Sequence, residues 1–346
     1  MTQTELGLLG LIDLALGGDV CCFTYNPDWN EVMSLAAKHG VLGLAVDGVE
    51  RLPKENRPQS SLLLQWFGPV VKQEQQFAHS WKVAQLLSKW WKSVGVEALV
   101  LKGRSLAQYY PKPEHRYSCD LDVFIAEGWD RACDLLRKKG VKLSLEIYKE
   151  AEFTLDGVYV ECHRFITPIR GNKRLQQFEP YLRDLLKEEK QYFEGTFLIM
   201  PPLMFNVMLY IEHALGDFLH GKLLLKHLVD WTVLRRQPID KELVKAKCSE
   251  FGFDRFLSLL NGLADVIENK TDFANLPASY QREFEGILRL QVKHEPESMF
   301  ARRVNLFCTI IRNRRRYRNF GYCSMPSFLW NAVFSHWFQK DVEVIE

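Results

Sequence analysis

The chain has eight cysteines but no Cys-X-X-Cys pair. Cys21 and Cys22 are adjacent, while Cys119, Cys133, Cys162, Cys248, Cys308 and Cys323 are widely scattered. This offers no zinc-ligand pattern, and a chain of 346 residues needs no disulfide staples to hold a core. Reduced thiols in a cytoplasm are the simplest reading. No apolar run approaches the ~20 residues of a membrane span. The opening MTQTELGLLGLIDLALGG lacks a basic stretch and carries Glu5 and Asp13, which speaks against a secretory signal. An excess of either charge sign is lacking as well, with 45 Lys and Arg against 43 Asp and Glu. The net charge is +2, so nothing global selects nucleic acid or acidic partners, and any electrostatic argument must be local. The remaining composition, 47% hydrophobic and 25% charged, is that of an ordinary globular protein long enough for two or three domains.

Residues 1 to about 95 read as helices. LGLLGLIDLAL has helical apolar spacing. DWNEVMSLAAKHG follows, with Asp28 placed as an N-cap and Gly40 as a stop. VVKQEQQFAHSWKVAQLLSKWWKSVG is a long amphipathic pattern ending at Gly95, which predicts a helix from Val70. From Val96 the character changes. EALVLK is β-rich, RSLAQYY fits one or two helical turns, CDLDVFI reads as a strand and WDRACDLLRKKG as a helix. LSLEIYKEAEFTLDGVYVECHRFI reads as two strands around a turn at Asp156-Gly157. After Pro201 the helical period returns, in PPLMFNVMLYIEHALGDF, KLLLKHLVDWTVLRR and FGFDRFLSLLNGLADVIE. The expected architecture is α+β: a helical region over 1–95, a small mixed-sheet core over 96–200, and a second helical region over 201–346.

Asp120 and Asp122 lie two apart in an apolar strand pattern. Alternate strand residues share a face, so both carboxylates point the same way while Leu121 and Val123 point to the core. Carboxylates this close repel unless a cation sits between them. Mg²⁺ suits such oxygen ligands, with Mn²⁺ as the alternative, and commonly bridges to substrate phosphates. A third carboxylate, Glu161, alternates with Tyr159 and His163 on one face of VYVECHRF. Were that strand to pair beside the first, Glu161 would complete a cluster fit for two metal ions. The Lys-Gly turn before it lets backbone approach a ligand at Gly103. Ser105 offers a hydroxyl, and Lys102 or Arg116 a charge for phosphate.

The run LKGRSLAQYYPKPEHRYSCDLDVFI, with VECH downstream, resembles the nucleotidyltransferase superfamily, whose fold is shared by DNA polymerase β and kanamycin nucleotidyltransferase. More narrowly it resembles the bacterial family of uncharacterised nucleotidyltransferases, with IEHALGDF and LLLKHLVDW as looser likenesses. The resemblance implies that Asp120, Asp122 and Glu161 hold the metal ions, with Glu161 near the acceptor hydroxyl as a candidate general base. It implies that Lys102, Gly103, Arg104, Ser105, Arg116 and His163 surround the nucleotide. Arg104 stands where much of the superfamily has a small residue, often Ser. The implied reaction moves a nucleoside monophosphate from an NTP to an acceptor hydroxyl and releases pyrophosphate.

Other features carry competing readings. His213, Asp217 and His220 lie at helical spacings of four and three, which puts His213 and Asp217 on one face. A metal site there lacks an obvious third ligand, and with Lys226 and Asp230 the residues suit either a nucleotide or acceptor contact or plain helix-packing ion pairs. Arg312, Arg314, Arg315, Arg316 and Arg318 interleave with Tyr317 and Phe320, as in an RNA-binding surface or a solvated helix end. The aromatic SFLWNAVFSHWF closes a core or touches a membrane surface. Two rival functions follow: a catalytically silent nucleotide-binding regulator, and a toxin- or antitoxin-like protein acting on RNA or a protein partner.

Overall fold

The computed structural model describes residues 1–147, 150–167, 173–187, 190–290 and 299–334. Helix α1 (Gln3–Ala15) opens with a capping box. The Thr2 hydroxyl accepts from the Glu5 N–H, and the Glu5 carboxylate accepts from the Thr2 N–H. Helix α2 (Trp29–Lys38) is capped by Asp28, whose carboxylate accepts from the N–H groups of Asn30 and Glu31. Helices α3 (Leu42–Arg51) and α4 (Ser60–Lys92) follow. The last starts ten residues before the expected Val70 and runs through Pro69. Trp66 and Val70, on either side of the proline, are buried against the N-terminal helices. Packing carries the helix past a residue that costs it one backbone bond.

The sheet forms next. Strand β1 (Ala98–Val100) leads into the short α5 (Lys102–Ala107), then β2 (Asp120–Phe124) and α6 (Trp129–Lys138). Strands β3 (Leu143–Ile147), β4 (Glu150–Leu155) and β5 (Val158–His163) form an antiparallel meander. The sequence pattern suggests two strands here; there are three, and the β3–β4 connection lies outside the described residues. Asp156 and Gly157 turn β4 into β5, both at positive φ (48° and 77°), as a tight two-residue hairpin requires. Helix α7 (Lys173–Leu185) precedes two short strands that the sequence reading lacks, β6 (Gln191–Tyr192) and β7 (Leu198–Met200). The seven strands run in the order β3-β4-β5-β2-β1-β7-β6. Pairs β2–β5 and β1–β7 are parallel and β1–β2 is antiparallel, so the sheet is mixed.

The described residues after β7 form helices: α8 (Leu203–His220), α9 (Leu225–Leu234), α10 (Lys241–Phe251), α11 (Asp254–Ile267), α12 (Ala278–Leu288), α13 (Met299–Arg312), α14 (Arg314–Phe320) and α15 (Met325–Phe334). The strand alternation sorts the sheet into two cores. Val100, Leu121, Val123, Val160 and Cys162 pack with Val83, Leu87 and Trp91 of α4 and with α6. On the other face, Leu99, Leu101 and Phe124 join a larger core. That core runs without interruption from α1 to α12, so the N- and C-terminal helices are buried against each other and over one face of the sheet. The fold is α+β, a mixed sheet flanked by helices from both ends of the chain. Among the described residues no helix is long and apolar enough to cross a membrane.

Arg316, from the basic run, is an anchor. Its Nε donates to Glu283 at 2.7 Å, and its guanidinium lies 4.6 Å from the centroid of the Phe218 ring. In SFLWNAVFSHWF, Phe328 is buried against Tyr317, and residues from 335 onward lie outside the described residues.

Candidate active site

Strands β2 and β5 pair in parallel with Asp120 opposite Tyr159, Asp122 opposite Glu161 and Phe124 opposite His163. The period of two therefore puts Asp120, Asp122, Glu161 and His163 on the sheet face that looks toward α8 and α9. The His163 Nε2 donates to Asp122 Oδ1 at 3.0 Å and lies 3.6 Å from Glu161 Oε2. Asp122, Glu161 and His163 each offer one ligand atom within 4.8 Å of the others.

A cation already sits beside these carboxylates. Lys102 Nζ lies 3.5 Å from Asp122 Oδ1. The residue takes a left-handed φ of +42°, unusual for a lysine and costing on the order of 1 kcal/mol. The turn is fixed next door, where the Leu101 N–H donates to the Asp122 carbonyl at 2.9 Å. The charges respond to one another. Burial opposes ionisation of Asp122, yet the Lys102 ammonium and the His163 hydrogen bond hold its carboxyl well below the usual range. Burial, with the Asp122 charge beside it, pushes Glu161 up to about 7 and also raises Asp120. Although burial works against it, the charges of Asp122, Glu161 and Asp120 raise the Lys102 ammonium.

Lys102, Asp120, Asp122 and Glu161 line a cavity of ≈ 430 Å³, walled on the other side by α8 and α9; His163, though bonded to Asp122, is not among its lining residues. Lys222 and Lys226 border it, as do His213, Asp217 and His227. A family model described as "uncharacterised nucleotidyltransferase" matches residues 25–267, which takes in the whole sheet and both walls of the cavity. The chain belongs to this nucleotidyltransferase family. Membership supports nucleotidyl transfer as the general activity. No curated protein and no solved structure gives a match.

The nucleotidyltransferase places the other expected site residues less uniformly. Gly103 lines the cavity, and a Cβ there would lie 2.4 Å from Ser118 Oγ, so the close approach it permits is made by Ser118. Ser118 borders the cavity and reaches toward the Asp120 carbonyl at 3.3 Å. Arg104 and Ser105 are not among the lining residues. The Arg104 guanidinium stacks 3.6 Å from the Phe77 ring centroid and 4.3 Å from that of Trp81, and donates to the Phe77 carbonyl. Ser105 is fully buried and its hydroxyl donates to Asn206 Oδ1 at 2.7 Å. Both are therefore committed to packing, as the pattern Lys-Gly-Arg-Ser did not reveal. Arg116 touches the cavity, but its Nε and Nη2 donate to the two oxygens of Asp230 at 3.0 and 2.9 Å. Tyr110 OH donates to the same Asp230 at 2.6 Å. The pair is buried, so Arg116 holds the loop before β2 onto α9, and Asp230 is its partner rather than that of Lys226.

Several cavity residues carry no signal in the reading of the sequence: Ser118, Asn206, Lys222 and His227. The last is the most informative. Its Nδ1 accepts the Leu224 N–H at 2.8 Å, so the proton of the neutral ring sits on Nε2, 3.5 Å from Asp217 Oδ2. His213 Nε2 lies 3.6 Å from the same oxygen. His220, at the end of the same helix, meets the Tyr317 ring edge-on.

Proposed function

We propose that this nucleotidyltransferase moves a nucleoside monophosphate from an NTP to an acceptor hydroxyl, with Mg²⁺ and release of pyrophosphate. The observation that carries this reading is the pairing of Asp122 with Glu161 in adjacent parallel strands, with Asp120 and three lysines around one cavity. The donor set fits a hard divalent ion. It is rich in carboxylate oxygens, and its mutual repulsion is relieved by the Lys102 ammonium, a stand-in for added positive charge. Asp120, Asp122 and Glu161 would hold the ion, with His163 orienting Asp122. When bound, it would neutralise phosphate charge and ease ionisation of the attacking hydroxyl. Mn²⁺ would fit the same oxygens.

The chain's own groups do the rest. Lys102, Lys222 and Lys226 bring positive charge to the triphosphate, and Ser118 adds a hydroxyl where Gly103 clears the way. Catalysis of in-line attack at the α-phosphate rests on position and on charge, with no covalent intermediate on the protein. The test is incubation with each of the four α-labelled NTPs, Mg²⁺ and a cell extract, followed by identification of what acquires label. Label on a hydroxylated acceptor, with pyrophosphate released, is expected. Label on nothing despite measurable nucleotide binding would favour a silent regulator instead.

A further inference from the structure

We propose that His213 takes the proton from the acceptor hydroxyl, with Asp217 and His227 as the residues that position it. This rests on the transfer reading above and names the acceptor-side machinery of the same cavity. The geometry starts at His227. Its tautomer is set by the Leu224 N–H on Nδ1, so Nε2–H faces Asp217 Oδ2. This fixes Asp217 against the α9 wall. His213, one helical turn before Asp217, presents Nε2 to the same oxygen. A carboxylate accepts, so the His213 proton belongs on Nε2, and Nδ1 is left as the basic nitrogen. Among the described residues nothing donates to Nδ1, and the His213 side chain keeps 39% of its surface exposed where it lines the cavity.

At 3.5 and 3.6 Å these contacts are ion-pair distances rather than hydrogen bonds, and contacts of this kind tighten around substrate. The charged and titratable groups facing His213 are Lys102 from α5, Asp122 from β2, Lys226 and His227 from α9, and Asp217 on α8. Desolvation by the cavity walls, helped by the Lys102 ammonium, lowers the imidazole below its ordinary value, so the ring rests neutral with Nδ1 unprotonated; its service as a base rests on the Nδ1 of this part-exposed side chain and on Asp217 facing the opposite nitrogen. Burial likewise lowers His227 to about 3, which keeps its ring neutral with Nε2–H facing Asp217. Glu161, implied as a base by resemblance, is then free to serve as an ion ligand alone.

The step balances within the site. The acceptor O–H bond breaks and its proton moves to His213 Nδ1. The oxygen forms a bond to the α-phosphorus, whose bond to the bridging oxygen breaks, and pyrophosphate leaves with that electron pair. The imidazolium, faced by Asp217, then returns its proton to water.

The experiment uses the full chain with Mg²⁺, the labelled NTP that proves active, and serial dilutions of the cell extract. His213→Gln should lower maximal label transfer by about 10²–10⁴-fold, the range of general-base catalysis, while its affinity for the NTP by calorimetry stays within about twofold of the parent. Asp217→Asn should lower maximal transfer with little change in the extract concentration needed for half-maximal rate. A change in that concentration alone would mark Asp217 as a binding residue and overturn its role. His213→Gln transferring at the parent rate, or losing nucleotide affinity in step with transfer, would overturn the proposal and leave the transfer reading standing. A parent protein that labels nothing and releases no pyrophosphate would remove the transfer reading, and this proposal with it.

Discussion

Asp122 and Glu161 are register partners on parallel β2 and β5, so their carboxylates leave the sheet side by side, with Lys102 Nζ 3.5 Å from Asp122. Asp122 is also the acid held most firmly ionised, by Lys102 and His163. Asp122→Asn keeps the shape and removes the charge. Label transfer should fall by about 10³-fold or more, the scale of losing a charge-stabilising group at the reaction centre. Mg²⁺-dependent NTP binding should weaken, while the circular dichroism spectrum stays that of the parent. Unchanged turnover would remove Asp122 from the mechanism.

The ion pair Arg116–Asp230 is buried, with Tyr110 donating to the same carboxylate. Breaking a buried pair leaves an uncompensated charge. Asp230→Asn should therefore destabilise the protein by about 3–5 kcal/mol in urea unfolding. The double variant Arg116→Met, Asp230→Leu should recover much of that, because no lone charge remains. A single-variant loss below about 1 kcal/mol would show that the pair does not anchor the loop to α9.

Local periodicity was enough to put Asp120 with Asp122, and Glu161 with His163, on one face of their own strands, because strand alternation is a property of neighbours in sequence; the β2–β5 register that joins the two pairs was not local. The Asp28 cap and the Asp156-Gly157 turn were legible for the same reason. What local pattern could not supply was the partner at a distance. Ser105 looks like a phosphate hydroxyl until Asn206, 101 residues away, accepts its hydrogen bond. Arg104 looks like a phosphate cation until α4 brings Phe77 and Trp81 beneath it. His227 sits in a helical pattern that gives no hint of Asp217, since the two meet only across the packed pair α8 and α9. Strands β6 and β7 are two and three residues long, too short for a periodic signal, and exist because β1 offers an edge to β7.

Gly103 gives a steric test of the Lys-Gly turn. A Cβ would stand 2.4 Å from Ser118 Oγ, closer than side chains approach, and 3.3 Å from Ser118 Cβ, a tight contact. Gly103→Ala must push Ser118 out of the cavity or shift α5, so transfer should fall by about 10-fold or more, in line with a displacement near 1 Å at a reacting site. Adding Ser118→Gly should restore the parent's thermal unfolding midpoint, because the clash is then gone, but not its transfer rate, because the hydroxyl is gone too. Gly103→Ala with the parent's rate and stability would show that nothing needs the space.

His115 links the loop before β2 to the N-terminal helices in a way that pH can read. Its Nδ1 lies 2.7 Å from Asp47 Oδ2 on α3 and its Nε2 2.9 Å from Glu74 Oε1 on α4. With a carboxylate on each nitrogen the ring is held as imidazolium. Burial opposes this, but the Asp47 and Glu74 hydrogen bonds raise the imidazole above its ordinary value. A folded-state value above the unfolded one means that the folded protein holds the proton more tightly. The stabilisation is therefore full below the unfolded value of about 6.5 and is lost as pH rises through the raised folded value. Urea unfolding of the parent and of His115→Asn between pH 5.5 and pH 9 should show the parent more stable at the acid end, by about 2–4 kcal/mol for a buried charged pair. The gap should narrow on the alkaline side. Two profiles that run parallel over the whole range would mean that His115 carries no proton linked to folding.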